Sequence, residues 1–87
     1  MKQYIIYESF YSGDESHETQ YILEAENLHK AKHKYKKSYY DLAGRPNPFL
    51  SNDRFETQHG NMIRLKKVRE INKTDYQILA KYIEVIE

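Results

Sequence analysis

The amino-acid sequence predicts a small α+β domain, in which a three-stranded antiparallel sheet carries two helices on one face. Two strand-like runs flank a Gly-Asp turn, a lysine-rich segment has helical periodicity, and a second helical segment closes the chain. The predicted order is β-β-α-loop-β-α. The chain has 87 residues, 39% of them hydrophobic, so we expect one domain over residues 1–87.

The first two strands are predicted as a hairpin. Residues 2–11 are rich in Tyr, Ile and Phe, residues 20–26 form a second strand-like run with Tyr, Ile and Leu, and Ser12-Gly13-Asp14-Glu15-Ser16 lies between them. In 20–26, apolar and polar residues alternate, as in a strand with one buried face. In 2–11, both faces carry apolar residues, which indicates a central strand or a strand partly covered on both sides.

A helix is predicted over residues 28–43. Asn27 is a favourable N-cap, while Gly44 and Pro46 are typical of a helix end. The side chains expected to face the core recur at helical spacing and are Leu28, Ala31, Tyr35, Tyr39 and Leu42.

The rest of the chain contains a long connection, a strand and a helix. Residues 45–60 form a loop, which Phe49, Leu50 and Phe55 are expected to hold partly against the core. Residues 61–71 alternate as a strand with a possible bulge before Val68, and a helix remains the alternative. Thr74 and Gln77 match a capping box, which predicts a helix over 75–85.

The hairpin and the segment Glu-Ala-Glu-Asn-Leu-His-Lys-Ala (24–31) carry a family resemblance. Over about residues 1–43 the chain resembles small accessory proteins of phages and mobile elements, of the DpnD/PcfM type. The resemblance implies a strand hairpin followed by a helix, in a small phage or mobile-element protein. The abundance of Lys, Ile, Tyr and Asn is also typical of an AT-rich genome.

Charge is strongly segregated although the formal net charge is only +1. Residues 1–26 carry six acidic residues and one lysine; residues 27–45 carry six basic residues and one acid. Residues 61–74 carry five basic residues and one acid. Such segregation predicts contact with another macromolecule, or, alternatively, neutralisation of the acidic strands by the basic helix within the fold.

The sequence contains no motif that supports catalysis, so we expect no enzyme, no catalytic residue and no cofactor. Cysteine is absent and the three glycines are isolated, which excludes thiolate chemistry and a glycine-rich phosphate loop. His29 and His33 lie four residues apart, and His17 or His59 would have to complete a metal site. Because the intervening lysines repel a cation, we predict no bound metal.

Two binding functions remain. The first is a phage-type protein that binds, and inhibits or modulates, a bacterial protein such as a host-defence or nucleic-acid-processing enzyme. Its predicted contact residues are Tyr7, Tyr11, Asp14, Glu15, Phe49 and Arg54. The alternative is binding of nucleic acid through the lysine-rich helix, with Tyr35, Tyr39 and Tyr40 stacking on bases. Its predicted contact residues are Lys30, Lys34, Lys37, Arg64 and Lys66.

The sequence also predicts self-association and a cellular location. Ile78, Tyr82 and Val85 would form an outer stripe on the closing helix and seal a homodimer, unless Phe49 and Phe55 fold over the stripe. No apolar run is long enough to span a bilayer, and the first residues do not form a signal peptide. We therefore expect a cytoplasmic protein, in the host cell if it is phage-encoded.

Overall fold

A computed structural model describes residues 1–39, 47–57 and 60–87. It confirms an α+β architecture with two helices. The elements are β1 (Lys2–Ser12), β2 (Glu15–Ala25), α1 (Leu28–Lys37), a 3₁₀ turn (Pro48–Ser51), β3 (Arg54–Glu56), β4 (Met62–Ile71), α2 (Lys73–Leu79) and β5 (Glu84–Ile86). The prediction of a three-stranded antiparallel sheet is wrong, because the sheet has five strands in the order β3-β4-β1-β2-β5. Strand β5 runs parallel to β2, whereas the other neighbours are antiparallel.

The predicted hairpin is confirmed and is longer than expected. Every residue of β1 pairs with β2, from Lys2 opposite Ala25 to Ser12 opposite Glu15. Only two residues remain for the turn, and Gly13 takes a left-handed φ of 60° there. The polar residues 15–19, which show no apolar alternation, continue the strand because β1 offers them a pairing edge.

Strand β1 lies at the centre of the sheet, between β2 and β4, as the apolar residues on both of its faces predicted. On one face, Tyr4 and Ile6 join Leu23 of β2 in the main core beneath α1. The 3₁₀ turn adds Phe49, whose ring lies 5.4 Å from that of Tyr35 on α1. All of these side chains are almost completely buried.

The two helices lie on opposite faces of the sheet, not on one face as predicted. Ile5 and Ile22 alternate with the core residues and are buried on the other face. Helix α2 contacts β1. Burial raises the pKa of its Tyr76, and the charge of Glu24, on the Ile22 side of β2, adds to the rise. Helix α2 therefore covers this second, smaller apolar patch.

Helix α1 begins as predicted and ends earlier. The Asn27 side chain accepts a hydrogen bond of 2.8 Å from the backbone N–H of Lys30. The helix stops at Lys37, where Ser38 caps it. Leu28, predicted to face the core, is 46% exposed. The predicted roles of Leu42, Gly44 and Pro46 lie outside the described residues.

Strand β4 confirms the strand prediction for residues 61–71, and the alternative helix is wrong. Tyr7 pairs with Lys67 while the next residue, Glu8, pairs with Leu65. Lys66 is therefore an extra residue, and this bulge explains the slip in periodicity before Val68.

The closing helix is shorter than predicted and begins with a different cap. Asn72, not Thr74, accepts a hydrogen bond of 2.7 Å, from the backbone N–H of Asp75. Helix α2 ends at Leu79, and Val85 lies in β5 beside Ile22. Ile78 and Tyr82 are 52% and 82% exposed. The predicted stripe of Ile78, Tyr82 and Val85 therefore does not lie on one helix.

The alternative cover for that stripe is also wrong, because Phe49 and Phe55 pack on the α1 side of the sheet. The segment that carries them is nevertheless held to the core, as predicted. Asn47 caps the 3₁₀ turn by accepting from the N–H of Phe49, and its amide donates to the backbone carbonyl of Lys36. No helix in the described part of the chain is long and apolar enough to cross a membrane.

Candidate functional site

Part of the sheet face opposite α1 extends beyond α2, and we call this surface the open face. Strand alternation places on it side chains from four strands. They are Tyr7, Ser9 and Tyr11 of β1, Glu18 and Gln20 of β2, Arg54 and Glu56 of β3, and Met62, Arg64, Lys66, Lys67 and Arg69 of β4. The open face is thus rich in basic and aromatic side chains.

A shallow depression of about 470 Å³ lies at the hairpin end of the open face. Tyr11, which is 36% exposed, lines it together with Met62 and two arginines. Those arginines, Arg54 and Arg64, are direct cross-strand neighbours in the β3–β4 register. Like charges at such positions repel each other, so an acidic group bound between them would be stabilised.

Tyr7 marks the other end of the open face. Its phenol oxygen accepts a long hydrogen bond of 3.4 Å from the guanidinium group of Arg69. Between the two tyrosines, Lys66 of the bulge forms an ion pair of 2.9 Å with Glu18. Ser9 of β1 pairs with Glu18 and is buried between β2 and β4.

Several cations of the open face lack such a partner. Within residues 1–39, 47–57 and 60–87, no carboxylate forms an ion pair with Arg54, Arg64 or Lys67. All three side chains are exposed. The open face therefore presents positive charge that the described part of the fold does not neutralise.

The structure brings together residues from both predicted sets. Tyr7, Tyr11 and Arg54, predicted for a protein partner, share the open face with Arg64 and Lys66, predicted for nucleic acid. Asp14 and Glu15 are exposed at the tip of the hairpin. Phe49 was predicted as a contact residue, but it is 0% exposed because it fills the core between α1 and β3.

The lysine-rich helix lies on the opposite side of the sheet from Arg64 and Lys66, so the predicted nucleic-acid residues do not form one surface. Lys30 forms an ion pair of 2.6 Å with Glu26, and this hydrogen bond lowers the pKa of Glu26. Lys34 donates to the carbonyl of Glu24 at 3.1 Å. Lys37 is exposed on the same helix. One helix charge is thus balanced by Glu26, which lies between β2 and α1, while no ion pair among the described residues joins a lysine of α1 to a carboxylate of β2.

The stacking role predicted for the helix tyrosines is wrong for Tyr35, which is completely buried. Tyr40, predicted for the same role, lies outside the described residues. His29 and His33 line an open groove of about 560 Å³ between α1 and the end of β2. In the described ranges, no three His, Cys, Asp or Glu side chains converge as a metal site. His59, a suggested third ligand, lies outside those ranges.

No family model, no curated protein and no solved structure matches this chain. The open face must therefore be interpreted from its own chemistry.

Sequence reasoning missed one polar cluster inside the core. Glu8 of β1 is 4% exposed and accepts a hydrogen bond of 2.6 Å from the phenol of Tyr35 and another from the phenol of Tyr39. Burial raises the pKa of Glu8, and hydrogen bonds from Tyr35 and Tyr21 oppose the rise. The only sequence signal was the position of Glu8, which falls on the same face of β1 as Tyr4 and Ile6.

A second missed contact fixes the segment that leads into the open face. Lys36, almost buried, forms an ion pair of 2.9 Å with Asp53, and this hydrogen bond lowers the pKa of Asp53. The ammonium group of Lys36 also lies 5.7 Å from the centre of the Phe49 ring. Because Asp53 directly precedes β3, the pair helps to position Arg54.

Proposed function

We propose that this chain is a non-enzymatic binding protein whose open face binds a bacterial protein partner and modulates it. The observation that carries the proposal is the grouping of Tyr11, Arg54 and Arg64 around one shallow depression. In the light of the sequence resemblance, the partner would be a host protein bound by a phage or mobile-element accessory protein.

The side-chain chemistry of the depression supports a protein interface. Tyrosine and arginine are enriched among the residues that dominate binding free energy, since each combines apolar area with directional hydrogen bonding. Tyr11 supplies a partly exposed ring, and Arg54 and Arg64 supply exposed guanidinium groups. A complementary partner patch would be acidic, with an apolar contact for the tyrosine ring.

A non-enzymatic role fits the position of the buried carboxylate. Among the carboxyl groups of the described residues, Glu8 has a raised pKa, and it lies inside the core on the α1 side of the sheet. The open face, in contrast, is a shallow surface of exposed side chains. A general acid or base must reach its substrate, and Glu8 is separated from the open face by the sheet.

Affinity capture tests the proposal. The tagged chain is exposed to a nuclease-treated lysate of a low-GC bacterium, and we expect one protein to be retained in stoichiometric amount. The double variant Arg54→Glu/Arg64→Glu should lose that protein. Lys37→Glu/Lys73→Glu reverses the same number of exposed charges away from the depression, so it is the matched control and should retain the protein. Capture that is equal for all three proteins, or that occurs only in a lysate left untreated with nuclease, would contradict the proposal.

Nucleic-acid binding is the second candidate, favoured by one observation. The open face carries five basic side chains and two tyrosines, a combination that can hold phosphates and stack bases. Titration with single-stranded DNA and RNA at two salt concentrations distinguishes the candidates. Phosphate contacts require an affinity that falls steeply with salt. Absence of binding at low salt excludes this candidate.

A further inference from the structure

Strands β4 and β2 each have an outer edge that is paired along only part of its length. Strand β3 pairs with β4 at residues 62–64, and β5 pairs with β2 at residues 21–23. Among the described residues, no strand lies beside the outer edge of 66–71 or of 15–20. The backbone groups along such an edge can pair with a strand of another chain.

The two edges carry opposite charge. Residues 66–71 contain Lys66, Lys67 and Arg69 with one acid, Glu70. Residues 15–20 contain Glu15 and Glu18 and no lysine or arginine. Pairing of two identical edges would place like charges together, which is unfavourable. Pairing of a β4 edge with a β2 edge would place opposite charges together.

The positions of the edges also fit each other. On β4 the unpaired stretch lies beside the first half of β1, whereas on β2 it lies beside the second half. The short strands β3 and β5 occupy the other two corners of the sheet. When the 66–71 edge of one copy is placed beside the 15–20 edge of another, β3 of the first copy therefore lies beyond one end of this contact. Strand β5 of the second copy lies beyond the other end.

We propose that a second copy of this chain docks edge to edge, with its β4 edge (66–71) against the β2 edge (15–20) of the first. On the open face, Lys67 and Arg69 of one copy then meet Glu18 of the other, whose carboxylate also pairs with Lys66 of its own chain, while Glu15 lies on the other face of the β2 edge. The contact is heterologous, because it joins two different surfaces, and it can repeat along a row of copies. Six residues a side is a small interface, so the association is weak and sensitive to salt.

Charge reversal provides the test. In the variant Lys67→Glu/Arg69→Glu the β4 edge becomes acidic, and in Glu15→Lys/Glu18→Lys the β2 edge becomes basic. Each variant alone then has two edges of like charge, whereas a mixture restores attraction between them. Sedimentation at high protein concentration and low salt should show wild-type species heavier than one 10.5 kDa chain. Each variant alone should be monomeric, and the equimolar mixture should associate again.

Two further measurements check that the variants fold and locate the contact between copies. Thermal melting checks that each variant folds, and hydrogen exchange of the wild type should show slower exchange of the amides of 15–20 and 66–71 as concentration rises. Wild type that stays monomeric at the highest concentration would overturn the proposal. Association that Tyr82→Glu abolishes and the edge variants preserve would also overturn it, because the contact would then lie at the exposed Tyr82.

Discussion

Replacing Glu8 by glutamine should change how the stability of the protein depends on pH. The Glu8 side chain is 4% exposed and lies beneath the phenols of Tyr35 and Tyr39. Burial disfavours its charged form and raises its pKa above the ordinary value of 4.5, and this effect exceeds that of the phenol hydrogen bonds.

The direction of the effect follows from proton linkage. Between pH 4.5 and the raised pKa, the folded protein retains a proton on Glu8 that the unfolded chain has released. The free energy of unfolding therefore falls as pH rises through this window, by up to about 1.4 kcal/mol for each pH unit. Above the raised pKa the loss is complete. Below pH 4.5 the contribution is fully present.

Urea unfolding of the wild type and Glu8→Gln, measured from about pH 4 to about pH 8, isolates this contribution. Glutamine has a similar shape and no charge, so the difference in stability should shift in favour of the variant as pH rises. Hydrogen bonds from lysines lower the pKa values of Asp53 and Glu26. Their stabilisation of the fold is fully present above the ordinary pKa values of 3.8 and 4.5 and is lost as pH falls through the lowered ones. They occur in both proteins and cancel in the difference.

Glu70→Gln is the matched control, because Glu70 is exposed and its ion pair with Lys2 is long at 3.9 Å. Its stability difference from the wild type should vary far less with pH. A difference between wild type and Glu8→Gln that stays constant over the whole range would refute the argument. It would mean that Glu8 is solvated or charged throughout.

Three further predictions concern stability, each measured by chemical denaturation. Phe49→Ala should lower the free energy of unfolding by about 3–5 kcal/mol, because Phe49 is completely buried; a loss below about 1 kcal/mol would contradict its place in the core. Asn72→Ala should cost about 1 kcal/mol by removing the cap of α2, whereas Thr74→Ala should cost much less; the reverse order would favour the capping box. Gly13→Ala should cost about 1 kcal/mol, since its φ of 60° is unfavourable for alanine; no loss would mean that the turn adopts another conformation.

Long elements with a clear apolar pattern were predictable from the sequence. The hairpin, the start of α1 at Asn27 and the bulged strand β4 follow from periodicity and capping. Strands β3 and β5 were missed because each has three residues, too few to show an alternation. Residues 84–86 also continue the helical pattern, and only pairing with β2 makes them a strand.

The candidate site was predictable only in part. The surplus of tyrosine pointed to Tyr7 and Tyr11, but their grouping with Arg54 and Arg64 depends on the β3–β4 pairing, which joins distant segments. Phe49 looked like a loop residue available for contact, because the sequence could not show that Asn47 turns that segment into the core. Charge counts could not show which cations are neutralised, since that depends on cross-strand neighbours.

The central position of β1 has a consequence for how the chain folds. Its pairing with β2 is local and can form early, as a hairpin closed by a two-residue turn. Its pairing with β4 joins residues near opposite ends of the sequence, as with Gln3 and Ile71. Closing that long loop costs chain entropy before any contact compensates for it, so the arrival of β4 should limit the folding rate. Until then, one edge of the hairpin remains open to strands of other chains.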